Sequence, residues 1–128
     1  MKKLEMSTKN FSRGLKKLED FLKEPVKTER EEAGIIQAFE FCFELSWKTL
    51  QKKAQNEGLA IGSPRRALEY GLQSGAILPV EEAEWVQMLE DRNLTTHAYD
   101  GLVAKAIAGR VIGYAKLFKA LLNRLEKT

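Results

Sequence analysis

Side chains that hold metals, disulfides and redox centres are scarce in this sequence. Its 128 residues include one cysteine, Cys42, and one histidine, His97, so an internal disulfide is excluded, as is a zinc site built on paired cysteines and histidines. The sequence also lacks a glycine-rich phosphate loop and a GxSxG motif, which mark common nucleotide-binding and acyl-transfer sites. We therefore expect no metal and no cofactor. Cys42 stands between Phe41 and Phe43, where we expect a buried, unreactive thiol.

Long apolar runs are also missing. The best candidate is "IIQAFEFCFELSW" at residues 35–47, which contains two glutamates and falls short of the roughly twenty apolar residues that a membrane-spanning helix needs. The basic start "MKKLEMSTKN" is not followed by an apolar segment of signal-peptide length. Together with the single cysteine, these features lead us to expect a cytoplasmic protein that does not associate with a membrane.

Charge is nearly balanced overall but is unevenly distributed. The chain has 21 basic and 18 acidic side chains, and its net charge of +3 is too small to identify a nucleic-acid binder. Residues 79–91 contain five acids and no base, whereas residues 101–128 contain six bases and one acid, and Arg92 stands between these segments. A hydrophobic content of 44% with only three prolines is typical of one folded globular domain, which we expect to span residues 1–128.

Apolar residues recur at helical spacing, and no alternating strand pattern is present. The predicted first helix ends before Pro25, and its apolar stripe comprises Leu4, Phe11, Leu15, Leu18 and Leu22. A capping box in "TERE" (residues 28–31) predicts the start of a second helix, which ends at Gly58. The segment "SPRR" (residues 63–66) starts a third helix, which ends at Gly75.

Two further helices complete the predicted fold. The fourth follows Pro79 and has acids in its first turn, as the helix dipole prefers. The fifth has the clearest stripe, which comprises Val103, Ile107, Val111, Tyr114, Phe118, Leu121 and Leu125. Short connections favour antiparallel neighbours. The sequence therefore predicts an all-α fold, an antiparallel bundle of about five helices with a four-helix up-and-down core.

The second helix is apolar on most of its sides, so it either runs through the centre of the bundle or meets a second subunit. Glu40 and Glu44 are one turn apart and share a face of this helix. Two interpretations of these acids are open. In the first, Lys48 and a base from another helix neutralise them, or they lie on a solvated strip; in the second, one of them orients Arg92.

The segment "RNLTTH" (residues 92–97) contains the one histidine. In an unbroken helix Arg92 and His97 would point about 140° apart, since each residue turns by about 100°. Thr95 and Thr96 are poor residues inside a helix and good caps, so we expect a break there, with Arg92 ending one helix and His97 opening the next. An arginine and an imidazole that converge without a metal suit phosphodiester chemistry, because the cation offsets phosphoryl charge and the imidazole transfers a proton.

These residues resemble the Rx4-6H motif of the HEPN superfamily, and with Tyr99 they resemble the RxxxxHxY form of HepT-type toxins. The resemblance extends over nearly the whole chain. The segments that carry it, in the order expected of small nucleotidyltransferase substrate-binding proteins, are "FEFCFELSWKTL" (residues 39–50), "SPRRAL" (63–68), "EWVQML" (84–89) and "DRNLTTHAYD" (91–100).

The resemblance implies a helical homodimer whose two Arg and His pairs face one cleft between the subunits. It implies metal-independent RNA cleavage, in which Arg92 stabilises the scissile phosphate, His97 acts as general acid or base, and Asn93 holds the geometry. Tyr99 matches the tyrosine that a partner minimal nucleotidyltransferase modifies with AMP in toxin–antitoxin pairs. The residues that we expect to support the site or to bind substrate are Glu40, Glu44, Trp47, Thr96 and Asp100.

Two other functions are open at this point. The chain also resembles the helical C-terminal domain of aminoglycoside nucleotidyltransferases, which implies a substrate-binding subunit that completes an active site on another chain. In that case Arg92, His97 and Tyr99 bind a nucleotide or substrate and catalyse nothing. The last alternative is a dimeric helical scaffold without a site.

Overall fold

The computed structural model describes residues 2–127, which form five α-helices and no strand. The helices are α1 (Lys2–Phe21), α2 (Glu29–Asn56), α3 (Pro64–Ser74), α4 (Glu82–Leu94) and α5 (Gly101–Glu126). Two short 3-10 turns, Pro79–Glu81 and Thr95–His97, precede α4 and α5. The predicted all-α bundle of about five helices is confirmed. No helix within residues 2–127 combines the length and the apolarity needed to cross a membrane.

Local sequence signals set the ends of α2 and α3. Thr28 accepts a hydrogen bond from the backbone N–H of Glu31 at 3.1 Å, and the Glu31 carboxylate accepts one from the backbone N–H of Thr28 at 2.9 Å. Gly58 and Gly75 follow α2 and α3, and both have φ of 81°, a left-handed conformation that glycine adopts without a steric penalty. The predicted ends of these helices are therefore confirmed.

The start of α4 differs from the prediction. Pro79 begins a 3-10 turn, and α4 starts only at Glu82. The Glu81 side chain accepts a hydrogen bond from the backbone N–H of Leu78 at 2.9 Å and contacts Arg124 of α5 through two hydrogen bonds of 2.6 and 3.0 Å. These contacts hold the tighter first turn in place.

The core of the bundle is built around α2, which packs against α1, α3 and α5. Of the stripe predicted on α5, Val103 is half-buried and the other six members are buried. Cys42 is also buried, and burial raises the pKa of its thiol well above the ordinary value, as expected for an unreactive cysteine. The α2 helix therefore does run through the centre, although its face at Phe41 is exposed.

Phe118 of α5 lies at the point where four helices meet. Its ring centroid is 6.0 Å from that of Phe11 in α1, 6.3 Å from that of Phe39 in α2 and 5.8 Å from that of Trp85 in α4. Its side chain is fully buried. Such aromatic contacts contribute packing energy beyond their buried area, so this ring joins α1, α2 and α4 to α5.

We expect Phe118→Ala to lower the free energy of unfolding by about 3–5 kcal/mol, because it leaves a cavity among three other aromatic rings. Ile112→Ala is the matched control on the same helix: Ile112 is 56% exposed, and its truncation should change stability by less than about 0.5 kcal/mol. Urea unfolding followed by circular dichroism measures both. Equal losses in the two variants would contradict the central role of Phe118.

Candidate functional site

The helical conformation is interrupted between α4 and α5, at the predicted threonines. Helix α4 ends at Leu94, and Thr95–His97 form a 3-10 turn. The Thr95 hydroxyl donates a hydrogen bond to the Arg92 carbonyl at 2.7 Å, and the Thr96 hydroxyl donates one to the Asn93 carbonyl at 3.4 Å. The Arg92 carbonyl also accepts a hydrogen bond from the backbone N–H of Thr95. Both threonine side chains thus bond back to the last turn of α4, and this stabilises the break.

Two details of the prediction are wrong. His97 does not open α5, which begins at Gly101, and the threonines do not cap it. Asp100 is the N-cap: its carboxylate accepts hydrogen bonds from the backbone N–H groups of Leu102 at 2.9 Å and Val103 at 3.4 Å. An aspartate satisfies these free N–H groups well, while the threonine hydroxyls are engaged with the end of α4. The structure therefore gives Asp100 a capping role.

The side chain of Arg92 extends from the last turn of α4 to α2. One of its terminal nitrogens, Nη2, donates a close hydrogen bond to Oε1 of Glu44, and Cζ lies 6.0 Å from the centroid of the Phe43 ring. Trp47 donates a 3.0 Å hydrogen bond from Nε1 to the other Glu44 oxygen. The Arg92 side chain remains 37% exposed, so it is anchored on one side and open to solvent on the other.

The two glutamates of α2 contact neighbouring parts of the turn. Oε2 of Glu40 lies 3.1 Å from the Thr95 hydroxyl oxygen, whose one proton is shared between this carboxylate and the Arg92 carbonyl. Glu44 contacts Arg92. Within residues 2–127, no ion pair joins Lys48 to either acid. Glu44 is thus paired with a base from another helix, Arg92, a contact that fits both interpretations of these acids, and Glu40 contacts the turn that follows.

His97 and Tyr99 are exposed neighbours in the connection to α5. Their ring centroids are 6.0 Å apart in an edge-to-face arrangement, and Tyr99 is 84% exposed. No hydrogen bond or ring contact links His97 to Arg92 in the part of the chain that the structure describes. The Asn93 side chain accepts only a long hydrogen bond, 3.5 Å, from Nη1 of Arg92. The structure therefore joins Arg92 to Glu44, and places His97 in the same turn without direct contact.

An acidic cavity of about 430 Å³ lies beside this turn. Its wall includes Tyr99, Thr95 and three glutamates, Glu29, Glu32 and Glu40. Negative charge on its rim disfavours a phosphate there. Among residues 2–127, no group of three or more histidine, cysteine, aspartate or glutamate side chains is arranged to hold a metal ion.

A buried polar cluster directly before Arg92 was not predicted from the sequence. Asp91 is fully buried and accepts hydrogen bonds from Nε and Nη2 of Arg110 at 2.7 and 2.8 Å. It also accepts hydrogen bonds from the Tyr114 hydroxyl and, at 3.2 Å, from Gln87. Burial acts to raise the pKa of Asp91, but the hydrogen bonds from Arg110 and Tyr114 outweigh it and hold this pKa below its ordinary value.

One signal in the sequence points to this cluster. Asp91 follows Met88 by three residues, so it lies on the apolar side of α4, where an acid needs partners. Tyr114 was assigned to the apolar stripe of α5, and the stripe is indeed where its ring lies. Its hydroxyl, however, reaches the Asp91 carboxylate, and burial raises the pKa of this hydroxyl well above the ordinary value.

The fold and this site define a helical-bundle protein with an arginine and a histidine at the connection between its last two helices. The chain belongs to the family described as "Nucleotidyltransferase substrate binding protein like", whose sequence profile matches residues 6–127. The predicted family relationship is thereby confirmed.

Relatives of known sequence or structure agree with this assignment. A Haemophilus influenzae protein named "Probable ribonuclease HepT" is 31% identical over 104 residues, which cover 74% of this chain and 67% of that protein. A crystal structure of a Thermus thermophilus protein is 32% identical with a TM-score of 0.84, covering 90% of this chain and 98% of that one. A structure from Haemophilus influenzae is 25% identical with a TM-score of 0.69 and covers 96% of both chains. It is described as having the fold of a substrate binding domain of a nucleotidyltransferase.

Proposed function

We propose that this protein is a HepT-like HEPN endoribonuclease of a two-gene toxin–antitoxin system. The observation that carries the proposal is the Arg92 side chain, which Glu44 anchors on one side while the other side stays open to solvent. His97 is exposed in the adjoining turn. The relative named as a probable ribonuclease, at 31% identity, supports the same activity.

In this reaction the 2′-hydroxyl of RNA attacks the adjacent phosphorus, forming a 2′-oxygen–phosphorus bond and breaking the bond from phosphorus to the 5′-oxygen. His97 acts as the general base that takes the proton of the 2′-hydroxyl or as the general acid that protonates the 5′-oxygen. Arg92 offsets the charge that develops on the phosphoryl oxygens. Glu44 holds Arg92, Trp47 holds Glu44 through a hydrogen bond to its other oxygen, and Asn93 supports Arg92 from the next position. The reaction requires no metal.

We also propose that two copies of the chain form the working unit, so that both Arg92 and His97 pairs face one cleft. The exposed face of α2 is the surface that suits this contact. Phe41 on this face is 64% exposed and lines an open groove of about 470 Å³ with Phe21, Gly34 and Leu45. Glu44, which contacts Arg92, lies one turn further along α2, so docking here brings the two arginines toward each other.

Tyr99 is the residue through which a partner nucleotidyltransferase silences the activity. The tyrosine oxygen bonds to the α-phosphorus of ATP and loses its proton, the α–β phosphoanhydride bond breaks, and pyrophosphate leaves. Tyr99 is the one tyrosine of the three whose ring is exposed, since Tyr70 and Tyr114 are 4% and 3% exposed. The three glutamates of the acidic cavity on one side of Tyr99 repel the added phosphate, so the adenylate lies outside that cavity. A bulky anion there blocks RNA by volume and by charge.

A second function is supported by the family description and by the relative with the fold of a substrate binding domain. In this alternative the chain is a non-catalytic subunit of a two-component nucleotidyltransferase. Arg92, His97 and Tyr99 then bind a nucleotide or another substrate. The partner is a minimal nucleotidyltransferase in both proposals, so RNA cleavage is the property that separates them.

The wild-type protein is expected to cleave RNA in the presence of EDTA, and Arg92→Ala and His97→Ala should each lower the cleavage rate by about 10²–10⁴-fold. Lys9→Ala, which removes an exposed cation on α1, is the control and should cleave like the wild type. Gel assays with a labelled RNA measure the rates. Absence of cleavage by the wild type, or equal cleavage by all variants, would favour the substrate-binding subunit.

Incubation with the cognate nucleotidyltransferase, ATP and magnesium is expected to add one adenylate to Tyr99, because its hydroxyl is the accessible one. Mass spectrometry of the intact protein and of its peptides locates the adduct. Tyr99→Phe should remain unmodified, whereas Tyr70→Phe, which changes a buried ring, should be modified like the wild type. An adduct that persists in Tyr99→Phe would refute this form of regulation.

Phe41→Glu is expected to convert a dimer to a monomer, because it places a charge in an apolar contact surface. Ile112→Glu is the control, since Ile112 is an exposed apolar residue on α5 outside the proposed surface. Size-exclusion chromatography with light scattering measures the mass of each variant. Dimers in both variants would rule out the α2 face.

A further inference from the structure

We infer that Asp91 is a positioning residue that sets the place of the Arg92 and His97 turn relative to the rest of the bundle. This positioning role serves the ribonuclease site and so rests on the proposed function. Asp91 itself contacts no substrate, because its side chain is fully buried.

The Asp91 carboxylate is held from three directions. Arg110 binds both of its oxygens, at 2.7 Å from Nε and 2.8 Å from Nη2, a two-pronged geometry that fixes orientation as well as distance. The Tyr114 hydroxyl donates to Oδ2 and Gln87 donates to Oδ1. The Tyr114 ring is itself stacked on Phe39 of α2, with centroids 5.4 Å apart. The carboxylate therefore has one well-defined position.

Successive residues of α4 bind to different helices. Asp91 binds to α5 through Arg110 and Tyr114, and Arg92 binds to α2 through Glu44. The last turn of α4 is thus held between α2 and α5. At the other end of the connection, Asp100 caps α5, the helix that also carries Arg110. Residues 95–100 therefore join two points of one rigid unit, and the position of His97 depends on both.

Stability alone does not explain a charged cluster here. Arg110 is 41% exposed while Asp91 is fully buried, and taking a carboxylate out of water costs free energy that its contacts only offset. Apolar side chains of similar volume commonly stabilise such a position as well or better. Apolar side chains would not fix the orientation of neighbouring groups, because hydrogen bonds to a carboxylate specify angles that apolar packing does not. The cluster therefore specifies geometry at the start of the turn.

The test compares Asp91→Asn with Glu81→Gln. Asp91→Asn keeps the shape of the side chain but loses its charge and one acceptor oxygen. Glu81→Gln is the matched control, because Glu81 forms a similar two-pronged pair with Arg124 of the same helix, with hydrogen bonds of 2.6 and 3.0 Å, on the connection that precedes α4. Both variants thus lose one carboxylate–arginine pair to α5, and only the Asp91 pair adjoins the turn that contains Arg92 and His97.

The first readout is amide hydrogen exchange followed by NMR, which does not depend on any activity. The backbone N–H groups of Ala98 and Asp100 donate to Thr95 and His97 at 3.1 and 3.0 Å, so their exchange reports the order of the turn. In Asp91→Asn their exchange should accelerate by about 10-fold or more relative to amides in the core of α2. In Glu81→Gln the ratio should stay as in the wild type.

The second readout is RNA cleavage. Asp91→Asn is expected to lower kcat by about 10–100-fold with KM changed by less than about 2-fold, since a displaced catalytic group costs rate more than binding. Unchanged exchange of Ala98 and Asp100, or equal acceleration in both variants, would overturn the positioning role. A wild type that cleaves no RNA would instead refute the proposed function, and the exchange result would still decide whether Asp91 orders the turn.

Discussion

Four of the five helices meet at the aromatic rings around Phe118, and the relative positions of the site residues on α2 and α4 depend on that contact. The ring of Phe118 packs against Phe39 of α2 and Trp85 of α4. Close-packed rings do not slide past one another without opening voids, so they set how far along α2 the helix α4 lies. Glu44 is five residues beyond Phe39, and Arg92 is seven beyond Trp85. The register that packs the rings is therefore also the one that lets this ion pair form.

Helix ends were predictable where a single local signal decides them. The capping box at Thr28 and the left-handed Gly75 need no knowledge of distant residues. The connection from α4 to α5 was harder, because it offers two threonines and an aspartate as rival caps within six residues. The hydroxyls of the threonines bind backward to α4, and Asp100 caps α5. Aspartate ranks above threonine as an N-cap, so local propensity favours Asp100. The residue at which the helix restarts depends also on packing that a sequence does not display.

The site was predictable as a set of residues but only partly as a set of contacts. The sequence offered Glu40 and Glu44 as equal candidates to orient Arg92, and the choice depends on how α2 and α4 are rotated against each other. The Asp91 cluster was missed because Tyr114 fits an apolar stripe by its ring while its hydroxyl serves a different purpose. Periodicity predicts which face of a helix a side chain lies on. It does not predict the contacts of the polar atom at the end of an amphipathic side chain such as tyrosine.

The pairing of Arg92 with Glu44 also determines the electrostatic field that the site produces at long range. Two opposite charges in contact produce a dipolar field that fades much faster than the field of a free cation, and salt weakens what remains. A polyanion therefore feels little attraction to this point until it arrives there. If RNA is the substrate, as proposed, its selection would come from shape and hydrogen bonding at contact range, whereas its long-range capture, with a steep salt dependence, would depend on the scattered lysines and arginines of the outer surface.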